Sequence, residues 1–243
     1  MKRFLIVAAL VAACDAPQTP DVKNPPGGGL AAWWPLDDLD VEVRDRSGNG
    51  NTATSRGARR VLGKVGDART FDGAACVTAR DSSSLSMAGA TSLSMMAWVR
   101  APVRVICSQG IQAVLAKEGE YEHGIRCGAS PVYQSAVSTD AGPTWVWAGS
   151  APLSPDVWHH VATTWDGAVV RSYVDGVLVE ERPLGGRLKP ALGPSGVGIG
   201  CGNVAPDGAS STVYSFIGAV DEATVYRRAL SAEEISMYYR RTR

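Results

Sequence analysis

The stretch WHHVATTWDGAVVRSYVDGVLVEE, residues 158–181, decides the fold class. It holds three runs rich in β-branched and aromatic residues, separated by Asp166-Gly167 and Asp175-Gly176. An Asp-Gly pair between two such runs is a strong hairpin signal, because both residues tolerate the positive φ of a tight turn. The stretch therefore predicts an antiparallel meander of three strands.

Similar runs with turn signals lie on both sides of this meander. They predict further strands at 75–79, 92–100, 114–117, 121–127, 196–200 and 216–226. One helix is predicted near the end, where the capping box Ser231-Ala232-Glu233-Glu234 precedes a short amphipathic segment that ends at Tyr239. Many short strands and one helix predict an all-β fold: a two-sheet antiparallel jelly-roll sandwich with one short C-terminal helix.

The composition and net charge exclude some classes of function. The chain has 243 residues, of which 45% are hydrophobic, so a sizeable core is expected. Its 24 basic and 24 acidic residues give a formal net charge of zero. This balance lacks the basic excess of nucleic-acid-binding domains and any polybasic segment for a membrane surface. We expect no nucleic acid among the partners.

The first residues indicate export. A basic start, Met1-Lys2-Arg3, precedes an apolar run over 4–13 that is too short to span a bilayer, which takes about 20 residues. Val11-Ala12-Ala13-Cys14 resembles the lipobox of bacterial lipoproteins, in which the cysteine is acylated. We predict a lipoprotein-type signal peptide over 1–13; an ordinary signal peptide with a chance cysteine is the alternative. The protein is expected in the cell envelope, facing the periplasm or the surface, with lipid on Cys14 as its only membrane anchor.

Residues 14–29 predict a tether. The segment holds four prolines and ends in Gly27-Gly28-Gly29, a composition that favours extended, swivelling chain over a core. No later stretch resembles a linker, so one domain is predicted over 30–243.

Four further cysteines support export. They are Cys76, Cys107, Cys127 and Cys201. An even number in an exported chain predicts two disulfides, and three pairings are possible. Free buried thiols are the alternative, and a zinc site is disfavoured because the chain has no C-x-x-C motif.

Several segments carry a family resemblance. They are LAAWWPLDD at 30–38, DRSGNGN at 45–51, GKVG at 63–66, FDG at 71–73, WHHV at 158–161, WDG at 165–167, YVDG at 173–176 and FIGAVDEATVY at 216–226. In this order they resemble the LamG-like, or concanavalin A-like, jelly-roll domains of bacterial surface proteins. The region 107–147 departs most from the family pattern. The resemblance implies a recognition or scaffolding role with a glycan or a protein as ligand.

Some members of the wider fold are glycoside hydrolases, which need two carboxylates about 5 to 9 Å apart. The one candidate run is Glu118-Gly119-Glu120-Tyr121-Glu122, which we interpret as a solvated turn at a hairpin tip because Gly119 interrupts the strand. His159 and His160 are adjacent on a strand and so point to opposite faces. No Gly-x-Ser-x-Gly or Walker-type motif is present. We predict no enzymatic activity.

Calcium is the one cofactor that the sequence suggests. Asp45, Asn49 and Asn51 lie in a glycine-containing loop and offer the oxygen ligands that calcium prefers. The family resemblance implies a structural calcium at the rim of the sandwich, to which Asp221 would add a carboxylate. The alternative is that these side chains only stabilise turns.

Aromatic side chains are the candidate ligand-binding residues, because flat rings stack on sugars. Trp145 and Trp147 share one face of a possible strand, with Tyr121 and Tyr133 nearby; core packing is the alternative. Trp98, Trp158 and Trp165 are assigned to the core.

The predicted function is a non-catalytic surface recognition or adhesion module that binds a glycan or a cell-surface protein. A glycoside-active enzyme and a purely structural envelope lipoprotein are the alternatives, and the sequence does not decide the oligomeric state.

Overall fold

A computed structural model describes residues 24–107, 110–191, 195–205, 207–209 and 214–243. The predicted signal peptide and Cys14 lie outside the described residues. The elements in chain order are β1 (Leu30–Trp34), β2 (Glu42–Val43), β3 (Ala53–Arg56), β4 (Arg59–Leu62), β5 (Asp67–Asp72), β6 (Cys76–Ala79), β7 (Leu93–Arg100), β8 (Ile111–Lys117), β9 (Tyr121–Arg126), β10 (Val132–Val137), β11 (Val146–Pro152), β12 (His159–Trp165), β13 (Val169–Val174), β14 (Val177–Pro183), β15 (Val197–Ile199), β16 (Ile217–Tyr226) and α1 (Ala232–Thr242).

The strands form two eight-stranded antiparallel sheets, which confirms the predicted sandwich. The first sheet has the order β14-β13-β12-β7-β16-β5-β4, and β1 also pairs with β16. The second sheet has the order β11-β10-β9-β8-β15-β6-β3-β2. The predicted meander is the β12-β13-β14 edge of the first sheet. Its turns contain Asp175 and Gly176 at φ values of 51° and 75°, and Gly167 at 86°.

The core lies between the two sheets. Val99 and Val161 of the first sheet and Leu115 and Ile125 of the second sheet are completely unexposed members of one continuous cluster. Burying side chains of this size stabilises the fold by roughly 1.5–3 kcal/mol each. The inner faces therefore supply the main stabilisation of the sandwich.

Strand β7 carries apolar side chains on both faces, so polar and apolar residues do not alternate regularly along it. Met95 and Val99 belong to the core between the sheets, whereas Met96 packs in a second cluster with Ile235 and Tyr238 of α1. Both faces of β7 are thus apolar, because the helix covers the outer face of the first sheet.

The capping box that the sequence predicts begins α1. The Ser231 hydroxyl accepts from the Glu234 backbone N–H at 3.1 Å, and the Glu234 carboxylate accepts from the Ser231 N–H at 2.9 Å. The two reciprocal bonds satisfy donors that a helix start leaves unpaired. The helix continues to Thr242, about one turn beyond the predicted end.

The end of the predicted tether is held against the domain. The Arg228 guanidinium donates to the carbonyls of Gly27 and Gly28 at 2.8 and 2.7 Å, and Arg241 donates to the carbonyl of Asn24 at 3.2 Å. These basic side chains satisfy carbonyls that glycine-rich chain would otherwise expose to water. Among the described residues, the segment that precedes β1 therefore contacts the domain from Asn24 onward.

Candidate ligand-binding face

The outer face of the second sheet is the candidate ligand-binding face. The described part of the chain has one helix, α1, and it packs on the outer face of the first sheet. Directly paired residues of neighbouring strands point to the same side of a sheet. One such row crosses the second sheet through Trp147, Ala136, Glu122, Ala116, Gly198, Thr78 and Thr54.

The row points away from the core. Its neighbours along the strands, Val77, Leu115, Tyr121 and Val137, all lie in the core cluster, and successive strand residues point to opposite faces. The middle of the row is buried, whereas Trp147 at one end and Thr54 at the other reach solvent. The face therefore has two accessible ends.

Trp145 and Trp147 form an aromatic pair at one end of this face. Both side chains are partly exposed, their ring centroids are 6.3 Å apart, and the rings are tilted by 39°. Trp147 lies on the edge strand β11, and Trp145 is the residue immediately before this strand. Neither indole N–H donates to a described residue, whereas those of Trp34 and Trp165 donate to backbone carbonyls at 2.8 and 2.7 Å. The pair thus offers two rings and two free donors.

The expectation that Tyr121 and Tyr133 join these tryptophans is wrong. Both tyrosines are 0% exposed. The Tyr121 hydroxyl donates to the carbonyl of Leu85 at 3.0 Å, and the Tyr133 hydroxyl is 2.6 Å from Thr163 Oγ1 of the opposite sheet. Their register places them on the inner face, where each needs a hydrogen-bond partner, so they join the core and not a ligand site.

Trp158 was assigned to the core, and this assignment is also wrong. The side chain is partly exposed, and the Arg100 guanidinium lies 5.1 Å from its ring centroid. Trp98 and Trp165 are buried, as predicted.

The run Glu118–Glu122 joins β8 to β9 as predicted, but it is not a solvated turn. Glu120 is 1% exposed, because loop residues 86–87 cover it. Its carboxylate accepts from the Met87 backbone N–H at 2.6 Å and lies 3.8 Å from Lys117 Nζ. Glu120 therefore fastens a loop to the hairpin tip and does not face the open side of the sheet.

Glu122 lies in the outward-pointing row and is 7% exposed. Burial, and then repulsion from the Glu118 carboxylate, raise the pKa of Glu122 to about 8. Its Oε1 has no hydrogen-bond partner in the described structure. Burial therefore favours the protonated form of the Glu122 carboxyl group.

The two adjacent histidines have separate surroundings, as predicted. His159 Nδ1 lies 2.7 Å from Asp175 Oδ2, and its Nε2 accepts from the Ser154 N–H at 3.0 Å. His160 is completely buried beside the rings of Trp98 and Tyr238. The two imidazole rings therefore do not converge on one position where they could bind a ligand together.

The proposed calcium ligands do not form one site. Both Asp45 oxygens accept backbone N–H groups, Oδ1 from Trp33 and Oδ2 from Asn51, at 3.0 and 2.9 Å. The Asn49 amide donates to the carbonyl of Leu30 at 2.8 Å, so these side chains stabilise turns. Asp221 lies against another loop, where Oδ2 accepts from the N–H groups of residues 64 and 65.

The four donor residues are divided between two loops, and Asp221 Oδ1 is buried without a hydrogen-bond partner among the described residues. The described residues contain no group of three or more His, Cys, Asp or Glu side chains that could hold a metal ion. Calcium binding at Asp45, Asn49, Asn51 and Asp221 stays a prediction.

The four cysteines form two disulfides, Cys76–Cys201 and Cys107–Cys127. Cys76 precedes Val77, a core residue of β6, so the first disulfide lies on the outer face of the second sheet, where it packs with Val204. It fixes the segment after β15 to that face. The described chain has no helix that is long and apolar enough to cross a membrane.

A family model described as the concanavalin A-like lectin/glucanases superfamily matches residues 71–236. No protein with a curated description matches the chain in sequence. Domain 4 of AbnA, a GH43 extracellular arabinanase from Geobacillus stearothermophilus solved in complex with arabinotriose, is similar in structure. The identity is 18% and the TM-score 0.62, over 86% of this chain and 98% of that domain.

Two toxin domains have similar structures. The binding domain of Paraclostridial Mosquitocidal Protein 1 shares 13% identity at a TM-score of 0.63, over 87% of this chain and 52% of that one. The botulinum neurotoxin serotype G binding domain shares 13% identity at 0.61, over 86% and 50%. The chain thus spans about half of each toxin domain, and at these identities the likeness concerns the fold alone.

Proposed function

This chain belongs to the concanavalin A-like lectin/glucanase superfamily, and we propose that it is a non-catalytic module that binds a glycan through Trp145 and Trp147. The observation that carries the proposal is the exposed indole pair, which has no hydrogen-bond partner for either N–H among the described residues. An indole ring buries apolar area against a sugar face, and its N–H donates to a hydroxyl.

The geometry of the pair favours an extended ligand over a single sugar. The rings are centred 6.3 Å apart and tilted by 39°, so successive units of a twisted chain can meet one ring each. Both rings lie at a sheet edge on or next to a β-strand, which limits the conformational entropy lost on binding.

Isothermal titration with oligosaccharides tests this proposal. The first probe is arabinotriose, and neutral glucan and galactan fragments widen the panel. Trp145→Ala and Trp147→Ala are each expected to weaken binding by about tenfold, because a truncated aromatic anchor costs more than 1 kcal/mol. Trp158→Ala is the matched control, since Trp158 is also partly exposed but is covered by Arg100. Equal losses in all three variants would contradict a site at the pair.

Glu122 favours a second candidate function, glycoside hydrolysis. A general acid must hold its proton at neutral pH, and the pKa of Glu122 is raised to about 8 beside a second carboxylate, Glu118. Against this role, Glu122 is 7% exposed and reaches no open cleft among the described residues. Hydrolysis that is lost in both Glu122→Gln and Glu118→Gln would support the enzyme; equal activity in Glu122→Gln and the wild type would exclude it.

We further propose that lipid on Cys14 holds the domain at the cell envelope. The support is the basic start, the apolar run 4–13 and the sequence Val11-Ala12-Ala13-Cys14. Several acyl chains anchor a protein firmly, whereas a single chain binds only marginally. Fatty-acid labelling of the wild type and of Cys14→Ser tests the anchor: label and membrane association should both disappear in the variant. Unchanged labelling would rule the anchor out.

A further inference from the structure

A polar groove lies at the other end of the outer face of the second sheet. It is a cavity of about 250 Å³ between β3, β6 and the loop at 207–208. Thr54 and Thr78 are cross-strand partners on its floor, and Arg56 and Arg80 flank them. The groove lies in the same cross-strand row as Trp147, five strands away, which is about 24 Å at the usual strand spacing.

The two arginines of this groove are unpaired within the described part of the chain. Both are exposed, and neither guanidinium forms a hydrogen bond or an ion pair with a described residue. Some other arginines are paired with carboxylates: Arg171 and Arg228 bond to Glu181 and Glu234 at 2.7 and 2.6 Å. Arg56 and Arg80 are therefore free to bind a planar anion in the bidentate way that guanidinium favours.

The arginines are placed to hold an extended ligand. Arg56 of β3 pairs with Cys76 of β6, and Arg80 is four residues after Cys76 in the direction of β6. At about 3.3 Å per residue, the two positions are about 13 Å apart along the strands. A ligand that follows the strand direction can therefore contact both arginines.

The floor and the wall of the groove are built from fixed groups. The Asn51 side chain is 5% exposed and donates to Ala31 O at 2.9 Å, while its Oδ1 accepts from Ser82 Oγ at 2.6 Å. Thr54 is exposed and Thr78 is 4% exposed, and the hydroxyl of neither forms a bond with a described residue. The Cys76–Cys201 disulfide fixes the segment that leads to the wall.

The acidic side chains of the groove do not cancel its arginines. Asp81 is paired with Lys117, whose Nζ lies 2.8 Å from Asp81 Oδ1 and 3.8 Å from Glu120 Oε1. One oxygen of Asp207 accepts the Ala209 N–H at 2.9 Å, which leaves Asp207 as the one lining carboxylate without an ion pair. Two unpaired guanidinium groups thus face a single unpaired carboxylate.

We propose that this groove binds an acidic glycan, with carboxylate or sulfate groups on Arg56 and Arg80 and sugar hydroxyls on Thr54 and Thr78. A glycan is favoured over an acidic peptide because the floor presents free hydroxyls and shares its face with the aromatic pair. The inference rests on the proposed function for the glycan class, but it uses a different set of residues.

Titration of the full chain with matched polymers tests the proposal. The carboxylate probe is polygalacturonate, with its fully methyl-esterified form as the neutral partner; the sulfate probe is dextran sulfate, with dextran as its partner. Poly-glutamate represents an acidic peptide. We expect at least one acidic glycan to bind at least tenfold more tightly than its neutral partner, and the affinity to fall as salt is added.

Arg56→Gln and Arg80→Gln are each expected to weaken this binding about tenfold, as loss of a charged hydrogen bond does. Arg240→Gln is the matched control, because Arg240 is exposed on α1 beside the other sheet and has no ion pair with a described residue. Preference for either carboxylate or sulfate supports the proposal and identifies the anion.

Three outcomes would overturn the inference: equal binding of acidic and neutral polymers, equal effects of all three arginine variants, or poly-glutamate binding as tightly as the acidic glycan through the same arginines. If neutral oligosaccharides still bind, and if this binding is weakened in Trp147→Ala, the proposed function would remain supported in those cases. Failure of every glycan to bind would contradict both.

Discussion

The Tyr238 hydroxyl donates a hydrogen bond of 2.9 Å to Glu222 Oε2, and this bond fastens α1 to β16. Glu222 has a positive φ of 53° at an irregularity in β16, and the same oxygen accepts from Trp33 Nε1 at 2.8 Å. One carboxylate therefore joins the first strand, the last strand and the C-terminal helix.

Tyr238→Phe should destabilise the protein by about 1–2 kcal/mol, because a buried bond to a carboxylate is lost while Trp33 still satisfies that oxygen. For a chain of this size, such a loss lowers the melting temperature by roughly 2–8 °C. Calorimetry measures the shift. Tyr239→Phe is the control, since the Tyr239 hydroxyl bonds to no described residue, and an equal shift in that variant would contradict the role of the bond.

His160 should make the fold sensitive to acid. Burial lowers the pKa of His160 to about 4, from an ordinary value of 6.5. The unfolded chain therefore binds a proton more readily than the folded one between these values, so this stability is present above pH 6.5 and is lost as the pH falls toward 4. At pH 5 the loss amounts to about 2 kcal/mol.

His160→Phe should remove this contribution, since both ring nitrogens of His160 lack a hydrogen-bond partner among the described residues and the ring packs among aromatic side chains. Urea unfolding at pH 7 and pH 5 measures the change. The variant should lose less stability than the wild type between the two values; parallel losses would show that other groups cause the acid response.

Glu122 should change the stability of the fold with pH in the opposite direction to His160. Its folded pKa, about 8, exceeds its ordinary value of 4.5, so its contribution to stability is present below pH 4.5 and is lost as the pH rises toward 8. Glu122→Gln should therefore raise the melting temperature at pH 8 and leave it nearly unchanged at pH 4. Glu118→Gln serves as the comparison at the same hairpin, and a larger gain at pH 4 than at pH 8 would refute the assignment.

The two disulfides should differ in their contribution to stability. Cys76–Cys201 closes a separation of 125 residues and Cys107–Cys127 one of 20, and longer loops lose more unfolded-state entropy on closure. Replacing Cys76 and Cys201 by alanine should cost about 1.6 kcal/mol more than replacing the other pair. Urea unfolding of the two double variants compares them. A larger loss from the short loop would show that native packing, and not loop length, dominates.

Local signals in the sequence predict those parts of the fold whose cause is local. The Asp-Gly turns of the meander and the capping box at Ser231 lie where the sequence places them, because a few neighbouring residues determine them. Strand β5 was not predicted, since it contains Arg69, which is 5% exposed and donates to the carbonyl of Asp40 at 2.8 Å. A buried arginine is stable only through partners that are distant in sequence.

The site residues depend on contacts that no local pattern contains. Tyr121 lies on β9 and Tyr133 on β10. The sequence does not show which face of the sheet each ring joins, because the cross-strand register decides it. Arg56 is the last residue of β3 and Arg80 directly follows β6, and these two strands pair residues that lie 20 to 26 positions apart, so the groove exists only in the folded sheet. The hairpin at Glu120 is buried for the same reason, by a loop that ends at Met87.

The clamp of Arg228 on Gly27 and Gly28 also decides how the domain responds to mechanical force. The chain enters at this clamp and continues directly into β1, which pairs antiparallel with β16 inside the first sheet. Leu30, the first residue of β1, pairs with Tyr226, the last residue of β16, so a pull between the N-terminal segment and α1 would open the pairs of β1 one after another, and the Arg228 bonds to Gly27 and Gly28 must break before the first of them is loaded.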